Sequence, residues 1–414
     1  MRVRLILGTL AAATAACTLL VPITGLRDGP DPTDAADAGN ETDTSVSPDT
    51  GAADIATKDS PTCVPDPPTV TDAADPAHLA RCGATSGVEL LSDFRNCGRC
   101  GHVCVAACTT GICNPVRDIL SPERDVGVGH FVGRQVAWFS QTTIGHVDAP
   151  LDAGADVVAS IEGGSGTRFV TMIGDEMDSF VFAVWSGADT RGSLFRLPGG
   201  REPFTEILHG AWLQWVILDG DWIVFTRSDA SIVSRMKRDG TEVDILVQGT
   251  QPRPHEVVKK PGGYFVLAHD ILAGDGPGKL FALDLEPRQL RLIAQDLPSP
   301  YGLTADDNHV YWGERTGKIR RLPVTAQFGD TPEPFVDFPG DPHVLLLDSD
   351  ATYVYWQTDL NDGNSHRWRI YRQAKCGGAA SLVGPPVFSE APRGMIVRDG
   401  EVYVGGPYSL FRMR

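Results

Sequence analysis

The stretch 309–323, HVYWGERTGKIRRLP, contains two short apolar segments joined by a tight turn. Its Val-Tyr-Trp segment has the β-branched and aromatic residues that a half-buried strand favours. A Glu-Arg-Thr-Gly turn follows, and the second segment, Ile-Arg-Arg-Leu, ends at Pro323. The stretch therefore predicts a β-hairpin within an antiparallel sheet.

The same hairpin pattern recurs along the C-terminal three-quarters of the chain. Comparable first strands begin at Val136, Val181, Trp222, Tyr264, Tyr353 and Glu401, and comparable second strands begin at Leu194, Ile232, Leu280, Ile370 and Leu410. A spacing of roughly 40–45 residues with several short strands per unit is typical of propeller blades. We predict an all-β fold, a seven-bladed β-propeller over residues 116–414, and keep six or eight blades as alternatives.

The final repeat reaches Arg414 without an outermost strand. An unassigned apolar segment, Val116 to Leu120, precedes the first repeat. Because each blade must bury its faces against its neighbours, a partial ring would leave apolar surface in water. We therefore predict that Val116 to Leu120 supplies the missing outer strand and ties the two ends of the ring together.

The repeats resemble the blades of YWTD-like and NHL-like propellers. The match is to the strand pattern, and the stretch 355–359, YWQTD, comes nearest to the YWTD motif. The resemblance implies a propeller, a fold that hosts many unrelated functions, so function has to be argued from the site.

Residues 1–26 have the layout of an export leader, because Arg2 and Arg4 precede an apolar run that begins at Leu5. The Thr-Ala-Ala-Cys sequence ending at Cys17 resembles a bacterial lipobox, which implies lipidation of Cys17. The apolar run extends to the end of this segment and is long enough to cross a bilayer. An uncleaved membrane anchor and plain secretion therefore stay open beside a signal peptide with lipidation.

Residues 27–61 are rich in Asp, Thr, Ala, Gly, Ser and Pro and have almost no aliphatic bulk. Such a segment cannot bury enough apolar area to offset its chain entropy. We predict a disordered acidic linker that acts as a tether and spacer.

Residues 62–115 form a predicted cysteine-rich module. Its cysteines, together with one in the sixth repeat, make an even set of eight: Cys63, Cys82, Cys97, Cys100, Cys104, Cys108, Cys113 and Cys376. In an exported chain this count favours disulfide bonds, whose connectivity spacing alone does not define. If all eight pair, one bridge joins the module to Cys376. A zinc site is the alternative, and a thioredoxin-like redox pair is disfavoured because no βαβ pattern surrounds the cysteines.

The run 96–104, NCGRCGHVC, resembles the NCGxCGxxC cysteine-rich modules of exported surface proteins from myxobacteria and their relatives. Cys108, Gly111 and Cys113 fit the usual ending of that module. The resemblance implies an exported propeller and carries no chemistry that can be transferred to these residues.

The formal net charge is −17, from 53 acidic and 36 basic residues, and no Lys/Arg-rich run occurs. Binding to a nucleic-acid backbone depends on basic side chains, so we expect no nucleic-acid partner. The 45 glycines and 30 prolines suit many tight turns between short strands.

The loops that lead into each innermost strand offer the best candidates for a ligand site at the mouth of the central channel. Several of these loops carry a Pro-x-Gly or Pro-x-apolar pattern, which we interpret as presenting one variable side chain at a common position. The variable residues are large and polar-tipped or aromatic, which suits a polar or anionic small ligand or a peptide tip. They are Arg168, Trp212, His255, Tyr301, His343 and Arg393.

Two alternatives apply to these residues. They can simply plug and solvate the end of the channel, because the fold alone carries no function. His255 and His343 can also be imagined as metal ligands, with Glu256 the one neighbouring carboxylate. We expect no cofactor and assign no metal site, and no serine elbow, HExxH motif or phosphate loop is visible.

Three functions follow from these patterns. We favour a non-catalytic binding protein, exported and tethered at the outer membrane, cell surface or periplasm or alternatively secreted, that recognises a protein, glycan or small molecule at the channel mouth. The second is an enzyme of the propeller lyase or lactonase type that uses an axial metal or a histidine pair, and virginiamycin-lyase-like propellers are the precedent. The third is a structural surface protein. We expect a monomer whose only membrane contact is its N-terminal lipid or apolar anchor.

Overall fold

A computed structural model describes part of the chain, and all the described residues lie in one compact unit, Asp59–Arg414. The described ranges are 79–82, 85–90, 92, 108–109, 112–113, 116–119, 126–148, 156–160, 167–185, 191–227, 229–269, 276–338, 343–361, 366–383, 393–406 and 409–413. The leader, the acidic linker and most of the cysteine-rich module fall outside these ranges. No described segment is a long apolar helix that could cross a bilayer.

Every regular element in the described ranges is a β-strand. The strands are β1 (Leu79–Cys82), β2 (Thr85–Glu89), β3 (Cys108–Thr109), β4 (Ile112–Cys113), β5 (Val116–Ile119), β6 (Gly127–Val132), β7 (Gln135–Phe139), β8 (Thr143–Asp148), β9 (Asp156–Ser160), β10 (Thr167–Gly174), β11 (Asp178–Trp185), β12 (Gly192–Pro198), β13 (Thr205–Ala211), β14 (Leu213–Asp219), β15 (Trp222–Arg227), β16 (Ile232–Lys237), β17 (Asp244–Gln248), β18 (Pro254–Lys260), β19 (Gly263–Ala268), β20 (Gly278–Leu285), β21 (Arg288–Leu297), β22 (Pro300–Ala305), β23 (His309–Glu314), β24 (Lys318–Pro323), β25 (Glu333–Asp337), β26 (His343–Ser349), β27 (Tyr353–Asn361), β28 (His366–Ala374), β29 (Ser381–Leu382), β30 (Arg393–Arg398), β31 (Glu401–Gly405) and β32 (Ser409–Met413).

Within the described part of the chain, strands β5 to β32 form seven antiparallel blades. Blades 2 to 6 are separate four-stranded sheets, β10–β13, β14–β17, β18–β21, β22–β25 and β26–β29. An eight-stranded sheet contains blade 1, β6–β9, together with blade 7, which runs β30, β31, β32 and β5. The two are joined by one parallel pair, Arg393 with Gly127. The predicted all-β, seven-bladed β-propeller is confirmed.

The predicted closure is also confirmed. Strand β5 pairs antiparallel with β32, the last strand of the chain, with Val116 opposite Arg412 and Ile119 opposite Ser409. The segment before the first repeat therefore completes the last blade. Closing the ring in this way covers the apolar faces that an incomplete blade would expose.

The core lies between adjacent blades. The side chains of Trp138, Trp312 and Trp356 are fully buried. Trp312 of blade 5 packs in one cluster with Phe265, from β19 of blade 4. Burying a large apolar side chain contributes roughly 1.5–3 kcal/mol relative to leaving it exposed, so these contacts are the main force that holds neighbouring blades together. The Val-Tyr-Trp pattern of the sequence is the direct source of this core.

The innermost strands share one irregularity. Each pairs with its second strand through a register shift that places one extra residue in the inner strand, which is a β-bulge. The extra residues are Gly129, Val170, Gln214, His255, Gly302, Leu345 and Gly394. In three blades this residue is glycine, and a Cβ on Gly394 would lie 2.6 Å from the Val128 carbonyl oxygen of the next blade. The bulges are therefore places where neighbouring inner strands approach closely.

The two faces of the ring differ in the strand ends they present. We call the face at which the inner strands begin the mouth face, and the opposite face the turn face. At the turn face, Asp350 follows β26, and its Oδ1 accepts the N–H groups of Thr352 and Tyr353 at 2.8 Å. Its Oδ2 accepts the Tyr355 hydroxyl at 2.9 Å and the N–H of Gly400 in blade 7 at 3.1 Å. Such turns fix the ends of the inner strands and link neighbouring blades.

The cysteine-rich segment is described only in part. Strands β1 and β2 form one hairpin and β3 and β4 form another. Cys108 and Cys376 are both disulfide-bonded.

Candidate functional site

The six residues selected from the sequence lie where the inner strands begin, at the mouth face. Arg168 is the second residue of β10, His255 the second of β18 and Tyr301 the second of β22. His343 and Arg393 open β26 and β30. Trp212 lies between β13 and β14. The side chains of Arg168 and Arg393 fall outside the described residues.

The six residues lie at different register positions relative to the bulges of their inner strands. His255 is itself the extra residue of its bulge. Tyr301 and Arg393 directly precede the extra residues Gly302 and Gly394. Arg168, Trp212 and His343 lie two residues before theirs, Val170, Gln214 and Leu345.

The structure brings two of the six together and adds a third ring. The ring centroids of His255 and Tyr301 are 5.6 Å apart. The ring of His269 lies 4.4 Å from His255 and 4.8 Å from Tyr301. We call His255, His269, Tyr301 and the adjacent Glu256 the rim cluster. It spans the entrance side of blades 4 and 5.

Sequence reasoning missed His269 because it concerned only the loops that lead into inner strands. His269 follows β19, the second strand of blade 4, and its backbone N–H donates to the Arg253 carbonyl at 3.0 Å. An antiparallel second strand ends where the inner strand begins, so both reach the mouth face. The signal that could have found His269 is the histidine directly after the apolar stretch 264–268, YFVLA.

Exposure differs within the rim cluster. His255 is 8% exposed, His269 is 3% exposed and Glu256 is 1% exposed, whereas Tyr301 is half-buried. The two imidazoles therefore form the base of the cluster, and Tyr301 offers the largest surface to a ligand. A tyrosine that presents an apolar ring face and a polar tip is a common element of binding sites.

Glu256 links the site to the fold. Its Oε1 accepts the backbone N–H of Gly302 in the next blade at 3.0 Å, and it lies 3.3 Å from His255 Nδ1. Its Oε2 has no hydrogen-bond partner among the described residues. A buried carboxylate oxygen of this kind is costly unless a donor reaches it, so this atom is available to a ligand, water or proton.

The bulge at His255 is held from the preceding blade. The Thr226 hydroxyl donates to the His255 carbonyl oxygen at 2.8 Å, and the Trp215 N–H donates to the Thr226 oxygen at 3.1 Å. These bonds satisfy backbone groups that the bulge removes from the regular ladder. The position of the imidazole is therefore set by three consecutive blades.

A second carboxylate near the mouth was not expected from the sequence. Glu314 ends β23 opposite Pro300, at the entrance of blade 5, and is 4% exposed. Burial raises the pKa of Glu314, and the charge of Arg320, whose Nε lies 3.7 Å from Oε1, opposes that rise. The Thr316 hydroxyl also donates to Oε2 at 3.1 Å. Glu314 therefore faces partners in its own blade.

The described residues do not form a metal site around His255 and His343. Among the residues the structure describes, no three His, Cys, Asp or Glu side chains are grouped closely enough to hold a metal ion. In blade 6, His343 stands opposite Asp359 in the strand pair. The rim cluster as described can offer imidazole and tyrosine hydrogen bonds, ring faces and one buried carboxylate.

Comparisons with known proteins bear on the fold. No protein-family profile matches the chain, and a search of curated proteins found no match. A streptogramin B lyase structure is 12% identical, with 72% of this chain and 97% of that chain covered and a TM-score of 0.55. A catalytically inactive histidine-to-alanine variant of virginiamycin B lyase from Staphylococcus aureus, with quinupristin, is 12% identical, with 72% and 98% covered and a TM-score of 0.53.

A protein of a different kind has a similar fold. YCF48 from Cyanidioschyzon merolae is 11% identical, with 73% of this chain and 99% of that chain covered and a TM-score of 0.52. Likeness at this level of identity concerns the fold alone. The chain is a seven-bladed β-propeller similar in architecture to virginiamycin B lyase and YCF48.

Proposed function

We propose that this chain is an exported, surface-tethered propeller that binds a ligand at the mouth of its central channel through the rim cluster. One observation carries the proposal: the rings of His255, His269 and Tyr301, contributed by two blades, lie within 4.4–5.6 Å of one another at the mouth face. Three large polar-tipped rings assembled at one rim suit recognition of a polar molecule.

The chemistry of the cluster defines the ligand class. Tyr301 presents the most exposed ring, and the histidines behind it can donate or accept hydrogen bonds. Glu256 adds a buried carboxylate oxygen that favours a ligand with a donor group. We infer a small polar molecule, a glycan unit or a peptide tip that carries both donors and a flat or apolar face.

The N-terminal sequence supplies the cellular context of the proposal. Export by residues 1–26, lipidation at Cys17 and a spacer over residues 27–61 would hold the propeller away from a membrane surface. Disulfide bonds within residues 62–115 and to Cys376 suit an oxidising compartment. The expected state is a monomer without a nucleic-acid partner.

The test is a thermal-unfolding screen of the full chain against monosaccharides, linear dicarboxylates, tetrapeptides and divalent metal chlorides. A ligand of the rim cluster should raise the unfolding midpoint in a saturable way. Tyr301→Ala and His255→Ala should abolish that shift. His309→Ala is the matched control, because His309 opens β23 at the turn face. The proposal fails if no compound produces a saturable shift, or if Tyr301→Ala leaves every shift unchanged.

A lyase-type enzyme is the second candidate, and one observation favours it. His255 Nδ1 lies 3.3 Å from the buried Glu256 Oε1, which is a histidine and a carboxylate close enough to exchange a proton through a small adjustment. The similar structures include a lyase with a catalytically inactive histidine variant, held with quinupristin. Loss of quinupristin in the presence of the full chain, followed by liquid chromatography and abolished by His255→Ala, would support catalysis.

A further inference from the structure

A cavity of about 270 Å³ lies between the first and last blades, at the turn face of the ring. Blade 1 contributes Phe131 and Arg134, and blade 7 contributes Arg398, Tyr403 and Arg412. The cavity is on the opposite face from the rim cluster. It also crosses the seam at which the ring closes. We call it the seam cavity.

Some of the charged side chains that line the seam cavity are paired with one another and others are not. Two carboxylates, those of Asp399 and Glu401, line it together with the three arginines. Arg412 Nε donates to Glu401 Oε2 at 2.9 Å, and the Tyr403 hydroxyl donates to the same oxygen at 2.9 Å. Arg412 Nη2 also pairs with Glu401 Oε1. Glu401 is therefore neutralised inside the wall, and two arginines remain against Asp399.

Arg134 is the arginine that is free to bind. It lies in the turn between β6 and β7, is exposed, and its side chain makes no hydrogen bond or ion pair with any other described residue. A guanidinium carries five N–H donors in a planar fork that matches a carboxylate or phosphate in a bidentate way. The chain as a whole is acidic, with a net charge of −17. An unpaired arginine at a cavity therefore gives this cavity a local group that can bind an anion.

Arg398 is fixed against an aromatic wall. Its guanidinium carbon lies 3.7 Å from the centroid of the Phe131 ring, and Nη1 donates to the Gly133 carbonyl at 2.5 Å. Phe131 in turn meets Tyr403 edge-on at 5.4 Å. Arg398 is exposed although it makes these contacts, so a planar group can pack against its guanidinium.

We propose that the seam cavity binds a small planar carboxylate, such as an aromatic acid. Its carboxylate pairs with Arg134, and its ring packs against Arg398 and Phe131. The volume of the seam cavity is just below the range of about 300–1,000 Å³ that is usual for larger ligands. This volume suits a small molecule that contains a single aromatic ring. Because the ligand touches both blade 1 and blade 7, its binding stabilises the closed ring.

The test uses thermal unfolding of the full chain with four probes. Benzoate carries both the ring and the charge, cyclohexanecarboxylate lacks the planar ring, benzamide lacks the charge, and inorganic phosphate has charge without a ring. Benzoate should raise the unfolding midpoint saturably and bind at least about tenfold more tightly than the other three, since a charge-assisted bidentate pair and ring packing are both required.

The variant Arg134→Gln should weaken benzoate binding at least about tenfold without moving the midpoint of the free protein. Arg201→Gln is the matched control, because Arg201 is exposed in a turn at the same face of blade 2. The proposal is overturned if benzoate gives no saturable shift or if Arg134→Gln binds it as tightly as the native chain. Equal binding of phosphate and benzoate would overturn the assignment of a planar acid.

Discussion

Glu256 of blade 4 accepts a hydrogen bond from the backbone N–H of Gly302 in blade 5, at 3.0 Å. This bond joins the bulges of two neighbouring inner strands, because Glu256 follows the extra residue His255 and Gly302 is itself an extra residue. It also sets the orientation of the carboxylate beside the His255 imidazole. One side chain thus contributes both to blade packing and to the rim cluster.

Replacing Glu256 separates these contributions. Glu256→Gln keeps an oxygen acceptor for the Gly302 N–H, whereas Glu256→Ala leaves that buried donor without a partner. Leaving a buried donor unsatisfied costs about 1–3 kcal/mol. We expect Glu256→Ala to lower the free energy of unfolding by about that much more than Glu256→Gln, measured by urea denaturation. Equal losses in the two variants would show that the bond contributes nothing.

One bulge glycine and one turn glycine of blade 7 allow a matched pair of substitutions. Gly394 and Gly400 have φ values of 78° and 79°, a region that disfavours side chains. A Cβ on Gly394 would meet the Val128 carbonyl oxygen at 2.6 Å, whereas nothing lies within 4 Å of a Cβ on Gly400. Gly400→Ala should cost about 1–2 kcal/mol of stability through φ. Gly394→Ala should cost about 1–3 kcal/mol more through overpacking.

The measurement for this pair is the free energy of unfolding from urea titration of the two variants and the native chain. If Gly394→Ala is no more destabilised than Gly400→Ala, then blades 7 and 1 do not approach each other as closely as the structure shows.

The closing strand is testable by deletion. Removal of residues 116–120 takes away β5, which pairs with β32 along four residues of the last blade. We expect a lower unfolding midpoint and a shallower, less cooperative transition, because blade 7 would lose its outer strand and expose apolar surface. Deletion of residues 50–54, within the proposed linker, is the control and should change neither quantity. An unchanged transition after removal of 116–120 would refute the closure.

The environment of Asp348 leads us to expect that the stability of the fold depends on pH. Its carboxyl group is enclosed between blades 6 and 7, where the Val397 N–H donates to Oδ2 at 3.2 Å, although the residue as a whole is only half-buried. Burial raises its pKa to about 7, and the N–H groups of Ser349 and Val397 oppose that rise. A carboxyl whose folded-state pKa is raised favours folding at low pH. That stabilisation is lost as pH increases from about 4 to about 7.

Urea denaturation at pH 5 and pH 8 tests this relation. The native chain should lose more stability between these values than Asp348→Asn, which cannot ionise and so carries no burial cost for a charge. Asp307→Asn, at an exposed turn position, is the control and should retain the native pH dependence. An identical pH dependence in Asp348→Asn and the native chain would contradict the enclosed carboxyl.

The sequence predicts the fold because its signals are local and repeated. Segments of β-branched and aromatic residues similar to the Val-Tyr-Trp segment of β23 recur in each blade, and the missing outer strand of the last repeat pointed to residues 116–120. Those inferences need only the period of the repeat and the requirement to bury apolar faces.

The site was predictable only in part, because the deciding features are not periodic. The bulges shift the inner strands by one residue at different points relative to the loop, so His343 and Tyr301 occupy different register positions. His269 comes from a second strand, not from an entry loop. The seam cavity joins Phe131 to Arg398, which are distant in sequence and meet only when the ring closes.

The most direct test of the account is a crystal structure of the full chain soaked with the compound that gives the largest saturable shift in the mouth-ligand screen. The account predicts ligand density against the Tyr301 ring, within hydrogen-bond reach of the His255 and His269 side, at the mouth face. Ligand density elsewhere on the propeller, with the rim cluster unoccupied, would contradict it.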